Sequence, residues 1–545
     1  MIEKVVYPTT VIYVLTAPLT YANISADVIS PISVEYGMMN TELTTRVAST
    51  GKMTFSLRND ADCIGGLAGY YTPLGANCPA WWTIGANVLI TISEGGSGWP
   101  KFRGYVAKIA PTSDIYGTRA VDVTVYDWMN FAALYSIEGP DIAYDKKIEE
   151  IVPLVITDMP IQPYQTDYGN GVSVFPTVFD TTTTTTKALS EFNKLALSEM
   201  GYIYMVRDSA YGDTLKVEGR FDRNSRNTLK TWVVPTEYSE YILTELGDFF
   251  TTELGELIVL DEVGSATFTN TMMNTDTSFG ENIINEVTVS VYPRRVDTSP
   301  AVLYSLSSPI RLAPDEVKSG VRGSFRDANN LATKVTGFDM IAPVGGIAWL
   351  CYQNSDGTGA DLTSDFDITA VYTANDVTYE ITNNSTLTGY VTKLEASGYG
   401  IYIYAPTQVT EEDATSKAAY GTSPVNIQMK YQDDVEMAQV FAEHVLADTK
   451  DLKRIVNSVE FLANTDPHLL HGFLNIEIGD LIYLTDTEME IAGYYYINSI
   501  KYEISQGGII MFEWGVKEAK ELDDDYWFLG DVGYSELDST TELGY

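Results

Sequence analysis

The stretch Ile476–Leu484 reads IEIGDLIYL, and a second strand-like run, Tyr494–Ile500, follows it as YYYINSI. Apolar and polar residues alternate on both sides of the pair Gly479-Asp480, which is typical of a reversal between two strands. The pattern therefore predicts two short antiparallel strands of a barrel. Just upstream, Asp434–Asp448 places apolar residues at helical spacing and predicts an amphipathic helix.

The first 137 residues predict a β domain of the same kind. Met53, Phe55 and Leu57 fall on one face of a cleanly alternating strand. Strands with one apolar face must pair and curl to hide their edges, so this region is predicted to form a barrel. The segment between Asp60 and Trp82, rich in Gly, Pro and aromatic residues, is an excursion from it. The strands are predicted at Val11–Leu15, Ile32–Gly37, Gly51–Asn59, Gly85–Ile92, Lys101–Ile109 and Ala120–Asp127.

Residues 138–277 change period and predict a small α/β domain. Tyr144–Asp158 suggests a helix broken by Pro153, and Lys187–Gly201 has helical apolar spacing with a glycine at its end. A run of threonines, Thr181–Thr186, precedes that second helix. A hairpin is predicted next, from Tyr202–Val206 and Leu215–Arg220.

The remaining chain predicts a second barrel, an insert and an arm. Asn282–Tyr292 is expected to open a second barrel made of residues 278–295 and 421–520. Residues 296–420 hold alternating strands such as Asp367–Thr373 and Gly389–Leu394, which suit an inserted immunoglobulin-like β-sandwich. The last residues, 521–545, have two short apolar clusters and are predicted to be a docking arm; a frayed terminus is the alternative.

Several of these blocks resemble the tail tip or baseplate hub proteins of tailed bacteriophages, in particular siphophage minor tail proteins. The resemblance lies in the Ile-Gly-Asp turn at 478–480, in Asn59-Asp60 followed by Gly85–Ile90, Phe102–Val106 and Val121–Asp127, and in the helix and hairpin of 188–220. The hairpin tip departs from the family pattern, because Ser209, Ala210 and Tyr211 lengthen it.

The resemblance implies a mainly β fold with a small α/β part, two tube-like barrel domains and an inserted sandwich. It further implies a structural virion protein at the tail tip, a homotrimer that caps the tail tube, lets DNA pass without specific binding and carries fibres. The implied partners are the distal tail protein ring, the tape measure protein, and tail fibres or receptor-binding proteins.

Charge restricts the classes of function. The 545 residues contain 34 Lys and Arg against 74 Asp and Glu, a formal net charge of -40. A surface this acidic repels phosphate backbones and anionic membranes, so binding of nucleic acid by charge neutralisation is not expected. The charge either maintains solubility or gives a channel wall that does not hold DNA. No apolar run reaches the roughly 20 residues of a membrane span, and no secretion signal is expected.

The sequence predicts no enzyme: no catalytic, cofactor-binding or metal-binding residue is assigned. It contains no nucleophile elbow, P-loop, zinc-protease motif or dinucleotide turn. The acidic run Asp523–Asp525 lacks the alternating spacing of a calcium loop. Cys63, Cys78 and Cys351 show no zinc spacing and are expected to be free thiols.

The three histidines are not expected to bind metal. His444 falls on the apolar face of the predicted helix and is assigned a packing role, while His468 and His471 flank a loop that enters the barrel.

Two other functions remain open at this point. A receptor-binding or glycan-binding β protein would use exposed aromatic rings, with Trp81, Trp82 and Trp99 as the candidates for stacking on sugars. A glycan hydrolase would need a carboxylate pair. With 74 acidic residues, some pair falls at the required distance by chance, so the sequence singles out none.

Overall fold

A computed structural model of the chain shows a mainly β protein with a small α/β part, as the sequence predicts. Within the described residues there are thirty strands and six α-helices. The described residues are 7–39, 42–94, 96–112, 119–137, 142–180, 185–207, 213–223, 228–233, 263–280, 283–327 and 333–519. The predicted docking arm, the run Asp523–Asp525 and the hairpin tip at 208–212 lie outside them.

The six strands predicted in the first 137 residues are confirmed, and a short hairpin partner of the first one is added to them. Met53, Phe55 and Leu57 on the fourth strand are buried, as their alternation predicts. The strands are β1 Thr9–Ala17, β2 Thr20–Asn23, β3 Ile32–Gly37, β4 Ser49–Arg58, β5 Asn87–Glu94, β6 Ser97–Thr112 and β7 Ala120–Tyr126.

The α/β part has its own core and is built from three helices and short strands. Pro153 does not break the second helix, contrary to the sequence prediction, since the buried side chains of Ile151, Val152 and Val155 hold that helix against the core. The elements are α1 Met129–Leu134, α2 Ile148–Thr157, β8 Gln165–Tyr168, α3 Ala188–Glu199, β9 Tyr202–Val206, β10 Thr214–Glu218, β11 Thr231–Val233 and β12 Val263–Ser265.

The predicted insert consists of two sheets, of six and three strands, around a common core, which is a sandwich arrangement. Three strands precede it: β13 Thr267–Thr269, β14 Asn274–Phe279 and β15 Glu286–Val291. Its own strands are β16 Arg294–Val296, β17 Ala301–Ser305, β18 Ile310–Leu312, β19 Val317–Ser324, β20 Lys334–Ile341, β21 Trp349–Tyr352, β22 Phe366–Tyr372, β23 Asp376–Asn383 and β24 Gly389–Ile403.

The remaining elements contain the predicted amphipathic helix, which begins after Asp434. The Asp434 carboxylate accepts hydrogen bonds from the amides of Glu436 and Met437, a standard N-cap. The elements are β25 Thr407–Glu412, α4 Ala414–Tyr420, β26 Pro424–Met429, α5 Val435–Thr449, β27 Arg454–Leu462, α6 Pro467–Asn475, β28 Leu481–Asp486, β29 Ile491–Ile504 and β30 Ile510–Glu518.

The largest sheet joins strands from the two regions that were predicted to be separate barrels. It has thirteen strands, in the order β14-β27-β30-β29-β3-β4-β7-β6-β5-β1-β2, with β28 on β29 and β13 on β28. The path has edges at β14 and β2, so the described strands form one continuous sheet rather than two closed barrels. The physical cause is the length of β29, which hydrogen-bonds to its hairpin partner β28 and then to β3.

One strand lies elsewhere than predicted. The segment Asn282–Tyr292 was expected to open the second barrel, but its strand β15 pairs with β25 and β26 in a separate three-stranded sheet. Val287, Val289 and Val291 of β15 share a buried cluster with Ala438 and Ala442 of α5, which fixes the strand there. β14 pairs with β27 instead and takes the predicted place in the large sheet.

The two halves of the large sheet repeat one pairing pattern. In the first half β4 pairs with β7, β7 with β6, and β6 with β5. In the second half β27 pairs with β30, β30 with β29, and β29 with β28. β3 extends the first set beside β4, and β14 extends the second beside β27. We call β1–β7 the first unit, and β13, β14 and β27–β30 the second unit.

The repetition extends to single hydrogen bonds. Gly85 N donates to Val106 O at 2.8 Å, and Gly479 N donates to the oxygen of Ile497 at 2.8 Å. Both glycines have a left-handed backbone, with φ of +86° and +85°. A β-bulge follows directly in each case, between Val106 and Lys108 in β6 and between Ile497 and Ser499 in β29. The Gly479-Asp480 turn therefore has an equivalent in the first unit.

Replacing Gly37, the last residue of β3, is predicted to weaken the contact between the units. A Cβ at Gly37 would lie 2.5 Å from Asn498 O and 2.8 Å from the Cα of Ser499, both backbone atoms of the second unit. Gly85 shares the left-handed conformation but has nothing within 4 Å of its Cβ position. We expect Gly37→Ala to cost about 2 kcal/mol more than Gly85→Ala in urea unfolding. Equal losses would contradict the close approach.

Candidate functional site: the junction between the two units

The two units meet through backbone hydrogen bonds between β29 and β3, which we call the junction. Residues Ser499–Ile504 of β29 lie opposite Ile32–Gly37 of β3 in antiparallel register. The amide of Met38 adds a hydrogen bond to the oxygen of Asn498 at 2.8 Å. The two units therefore lie edge to edge, as neighbouring parts of one sheet.

A buried ion pair crosses the junction. Lys101 of the first unit and Glu477 of the second unit approach to 3.0 Å between Nζ and Oε1, with only 1% and 6% of their side chains exposed. Lys101 Nζ also donates to the carbonyl of Phe473 at 2.9 Å, at the end of α6. Each charge is thus paired and hydrogen-bonded, the condition under which an ion pair is tolerated in a protein interior.

Two tyrosines complete the environment of this pair. The Tyr36 hydroxyl donates to the Glu477 carboxylate at 3.0 and 3.1 Å, and the Tyr502 hydroxyl donates to the carbonyl of Lys101 at 3.3 Å. Burial, together with the Glu477 charge, raises the pKa of Tyr36 well above its ordinary value. Burial also raises the pKa of Tyr502 well above its ordinary value, so both phenols stay protonated and act as donors at physiological pH.

A second buried cluster ties the α/β part to the same place. Arg207 contacts Asp127 at 3.0 Å and Asp213 at 3.8 Å, and its guanidinium lies 4.6 Å from the centre of the Tyr36 ring. Burial raises the pKa of Asp213 to about 6, against the opposing effect of Arg207. The guanidinium therefore connects the hairpin of the α/β part with β3 and β7.

The α/β part also contacts the second unit. Arg223 pairs with Glu218 at 2.7 Å and donates to the side chain of Asn498 at 2.8 Å, beside the bulge of β29. The same guanidinium lies 3.6 Å from the ring centre of Tyr202. Burial alone would raise the pKa of Tyr202, but Lys517, Arg46 and Arg223 outweigh it and lower that pKa to about 7. The α/β part thus fixes both units in their relative position.

The histidines differ from their predicted positions. His444 is exposed on α5, so its predicted packing role is wrong; the buried stripe runs through Phe441, Ala442 and Val445. His468 and His471 lie on α6 rather than beside a loop. His471 Nε2 is 2.8 Å from the Glu94 carboxylate in a buried contact between the second and first units. Burial lowers the pKa of His471, although Glu94 opposes this shift.

Trp81, Trp82 and Trp99, the candidates for stacking on sugars, do not form an exposed platform. Trp82 is 1% exposed and donates its indole N–H to Tyr71 O at 2.9 Å. Trp81 is half-buried and meets Trp82 edge to face. Trp99, also half-buried, packs edge to face on His471 at the junction. These rings serve internal packing, which removes the observation that favoured glycan binding.

The described residues hold no grouped metal ligands and no disulfide. In that part of the chain, no three His, Cys, Asp or Glu residues are grouped so as to hold a metal ion. Cys63, Cys78 and Cys351 are free thiols, as predicted. No described helix has the length and apolar character needed to cross a bilayer. Buried ion pairs are concentrated around the junction, and their geometry suits holding the two units together.

Comparison with known proteins gives the following similarities. The chain matches no family model, and no curated protein matches its sequence. Among solved structures, it is similar to the 43 kDa tail protein of prophage MuSo2 from Shewanella oneidensis, at 10% identity over 93% of this chain and 98% of that one, with a TM-score of 0.44. A tail protein from Neisseria meningitidis MC58 covers 93% and 96%, at 8% identity and a TM-score of 0.42. Prophage tail protein gp18 from Listeria monocytogenes EGD-e covers 94% and 96%, at 8% identity and a TM-score of 0.36.

Removing one partner of the Lys101–Glu477 pair is predicted to destabilise the protein strongly. Glu477→Gln leaves a buried ammonium without its counter-ion, which costs about 3–5 kcal/mol. Lys101→Met combined with Glu477→Gln should cost clearly less than the sum of the single changes, because neither charge is then left unpaired. Chemical denaturation of the four proteins measures this cycle.

The matched control is an exposed pair on the same sheet. Lys501 and Glu513 approach to 3.4 Å with 59% and 37% of their side chains exposed. Glu513→Gln should cost under about 1 kcal/mol. If Glu477→Gln costs no more than Glu513→Gln, the buried pair does not hold the junction.

Proposed function

We propose that this chain is a structural protein of a bacteriophage tail, the hub at the tail tip, and that it assembles as a ring. The observation that carries the proposal is the edge-to-edge pairing of two equivalent units within one chain. The sequence motifs that resemble tail tip hub proteins fall in these units, at Asn59-Asp60, Gly85–Ile90 and the Gly479-Asp480 turn. The proposal assigns the chain no enzymatic activity and no cofactor.

A ring follows from the geometry of a repeated contact. Units that associate head to tail through one kind of contact continue until they close on themselves, or they form a filament if the rotation does not close. The chain already makes one such step internally. With two units in each of three chains, a homotrimer presents six similar units around its axis, and this ring caps the tail tube.

The face of the large sheet that points away from the core carries charges that suit the wall of a DNA channel. Glu35, Glu503 and Glu513 lie on strands β3, β29 and β30 with their side chains away from the core. Lys501 of the same face contacts Glu513 at 3.4 Å, and Lys52 contacts Glu35 at 3.8 Å. A lysine that is already paired holds a DNA phosphate less well than a free one. This face therefore lines the proposed passage and lets DNA move through it.

The other parts of the chain provide attachment. The sandwich, whose strands β16–β24 span residues 294–403, and the arm of residues 521–545 engage the distal tail protein ring, the tape measure protein, and tail fibres or receptor-binding proteins. The protein is then found at the tail tip of the virion, and in the host cytoplasm during assembly.

Particle mass and shape test the proposal. Light scattering of the purified chain should give three times the mass of one chain, and negative-stain electron microscopy should show a threefold ring with an axial pore. Salt should be varied, because a net charge of -40 per chain repels neighbouring copies at low ionic strength. A particle that stays a single chain at all protein and salt concentrations, with no pore, contradicts the proposal.

A further inference from the structure

One edge of β6 has no partner where its equivalent in the second unit is paired. Beyond the bulge, the edge of β29 that was paired with β28 pairs with β3 instead. Ile500, Tyr502 and Ile504 of β29 are buried there. The equivalent residues of β6, Ala107–Thr112, pair only with β7 among the described strands. None of them is buried, and Lys108, Pro111 and Thr112 are exposed. β6 thus offers a free edge where β29 has a neighbour.

The second unit has a complementary free edge. β3 is paired on both sides, by β4 and by β29. Its equivalent, β14, pairs only with β27 among the described strands. Asn274 and Asp276 are exposed, and Phe279 at the end of β14 is 58% exposed. Free strand edges with exposed apolar side chains associate with other strands unless they are protected.

We infer that the free edge of β6, residues 107–112, pairs in antiparallel orientation with the free edge of β14, residues 274–279, of a second copy of this chain. The contact repeats between chains the junction that β29 and β3 make within one chain, except at Pro111, which has no amide hydrogen to donate. It rests on the proposed ring and specifies which strands close it. Because β6 lies in the first unit and β14 in the second, the contact is head to tail, as a ring requires.

The internal junction also fixes the register. Lys108 and Ser499 are the first residues beyond the two equivalent bulges. Thr112 lies four residues after Lys108, and Glu503 lies four residues after Ser499. Thr112 is therefore the counterpart of Glu503. Across the junction, Glu503 lies opposite Ser33.

The counterpart of Ser33 is found in the same way. Ser33 pairs with Thr54 of β4, which pairs with Thr124 of β7. In the second unit, Asp276 pairs with Ser458 of β27, which pairs with Gly515 of β30. Thr124 and Gly515 are the partners of the first residues beyond the bulges. Asp276 is therefore the counterpart of Ser33. The inferred contact places Thr112 of one copy opposite Asp276 of the next.

A second contact between copies follows from the same correspondence. In one chain, α6 lies between β27 and β28 and packs on the β5–β6 hairpin, where His471 meets Glu94. The excursion, extended here to all residues between β4 and β5 (59–86), is the counterpart of α6. As α6 packs on the β5–β6 hairpin, the excursion packs on the β28–β29 hairpin of the next copy, where Met489 and Tyr494 are 36% and 39% exposed.

The excursion is built as a rigid surface for such a contact. Tyr71 donates its hydroxyl to Asp27 at 2.6 Å, and the Asp27 carboxylate also accepts from the Ile64 amide at 2.9 Å, so the segment is fixed to the first unit. Its outer side nevertheless exposes Ile64, Leu67, Leu74 and Ile84. Leu74 is fully exposed and has a φ of +65°, a costly conformation for a leucine. Burial against a neighbouring copy accounts for this apolar surface.

Disulfide crosslinking tests the inferred register. Directly opposite residues of antiparallel strands have Cα atoms about 4.5–5.5 Å apart, within the range that a disulfide spans. We expect Thr112→Cys with Asp276→Cys to give covalent dimers and trimers of the assembled protein after mild oxidation, seen on a non-reducing gel. Cys78→Ser serves as the background, since Cys78 is half-buried whereas Cys63 and Cys351 are buried.

Two variants control the experiment. Ser33→Cys with Glu503→Cys joins the internal junction and should crosslink within a single chain, without raising its mass. Thr112→Cys with Phe279→Cys is out of register and should crosslink poorly. A ring seen by electron microscopy, in which Thr112→Cys with Asp276→Cys stays at single-chain size while the internal control forms, overturns the assignment of edges but leaves the ring. Absence of any ring overturns the proposed function itself.

Discussion

A β-strand that outlasts its hairpin partner must find a second partner for its remaining backbone groups, and β29 is such a strand. It runs from Ile491 to Ile504, whereas β28 covers only the first part of it, up to Tyr496. The amides and carbonyls beyond the bulge hydrogen-bond to β3, which lies more than 450 residues earlier in the sequence. Unpaired buried backbone groups are costly, so this demand brings the two ends of the described chain together. The side-by-side arrangement of the units depends on it.

The side chains at the junction stabilise the same relative position of the two units as the backbone hydrogen bonds do. The net charge of the chain is -40, yet Lys101, Arg207 and Arg223 are all buried near the junction and each contacts a buried carboxylate. Burying charge costs free energy unless the charge is paired, so these contacts favour one relative position of the units over any displaced one. A net charge of -40 repels neighbouring copies at low salt, while the buried ion pairs stabilise the packing inside each chain.

Local patterns in the sequence predicted the main strands of the first unit, because alternation of apolar side chains is a property of neighbouring residues. β4, β5, β6 and β7 were placed in this way, as were α3 and α5. Long-range pairing was not visible in the sequence. Nothing near Lys101 indicates that it pairs with Glu477. β15 has the valines of a sheet strand, but they do not show that it packs on α5 and pairs with β25. One signal was available, since Gly85-x-x-Val-x-Ile and Gly479-x-x-Ile-x-Leu have the same spacing. The sequence predicted two barrel domains; aligning these two motifs would have added the residue-by-residue correspondence between them.

Amide hydrogen exchange, compared between the assembled protein and its dissociated single chains, reports which strand edges are paired within a chain and which are paired between chains. The internal junction should protect the amides of residues 499–504 in both states, because it lies within one chain. In residues 107–112 and 274–279, the amides that do not hydrogen-bond to β7 or β27 should exchange rapidly in single chains and become protected only on assembly; Pro111 has no amide hydrogen. If these amides exchange as fast in the assembled protein as in single chains, the edges of β6 and β14 are not paired between copies.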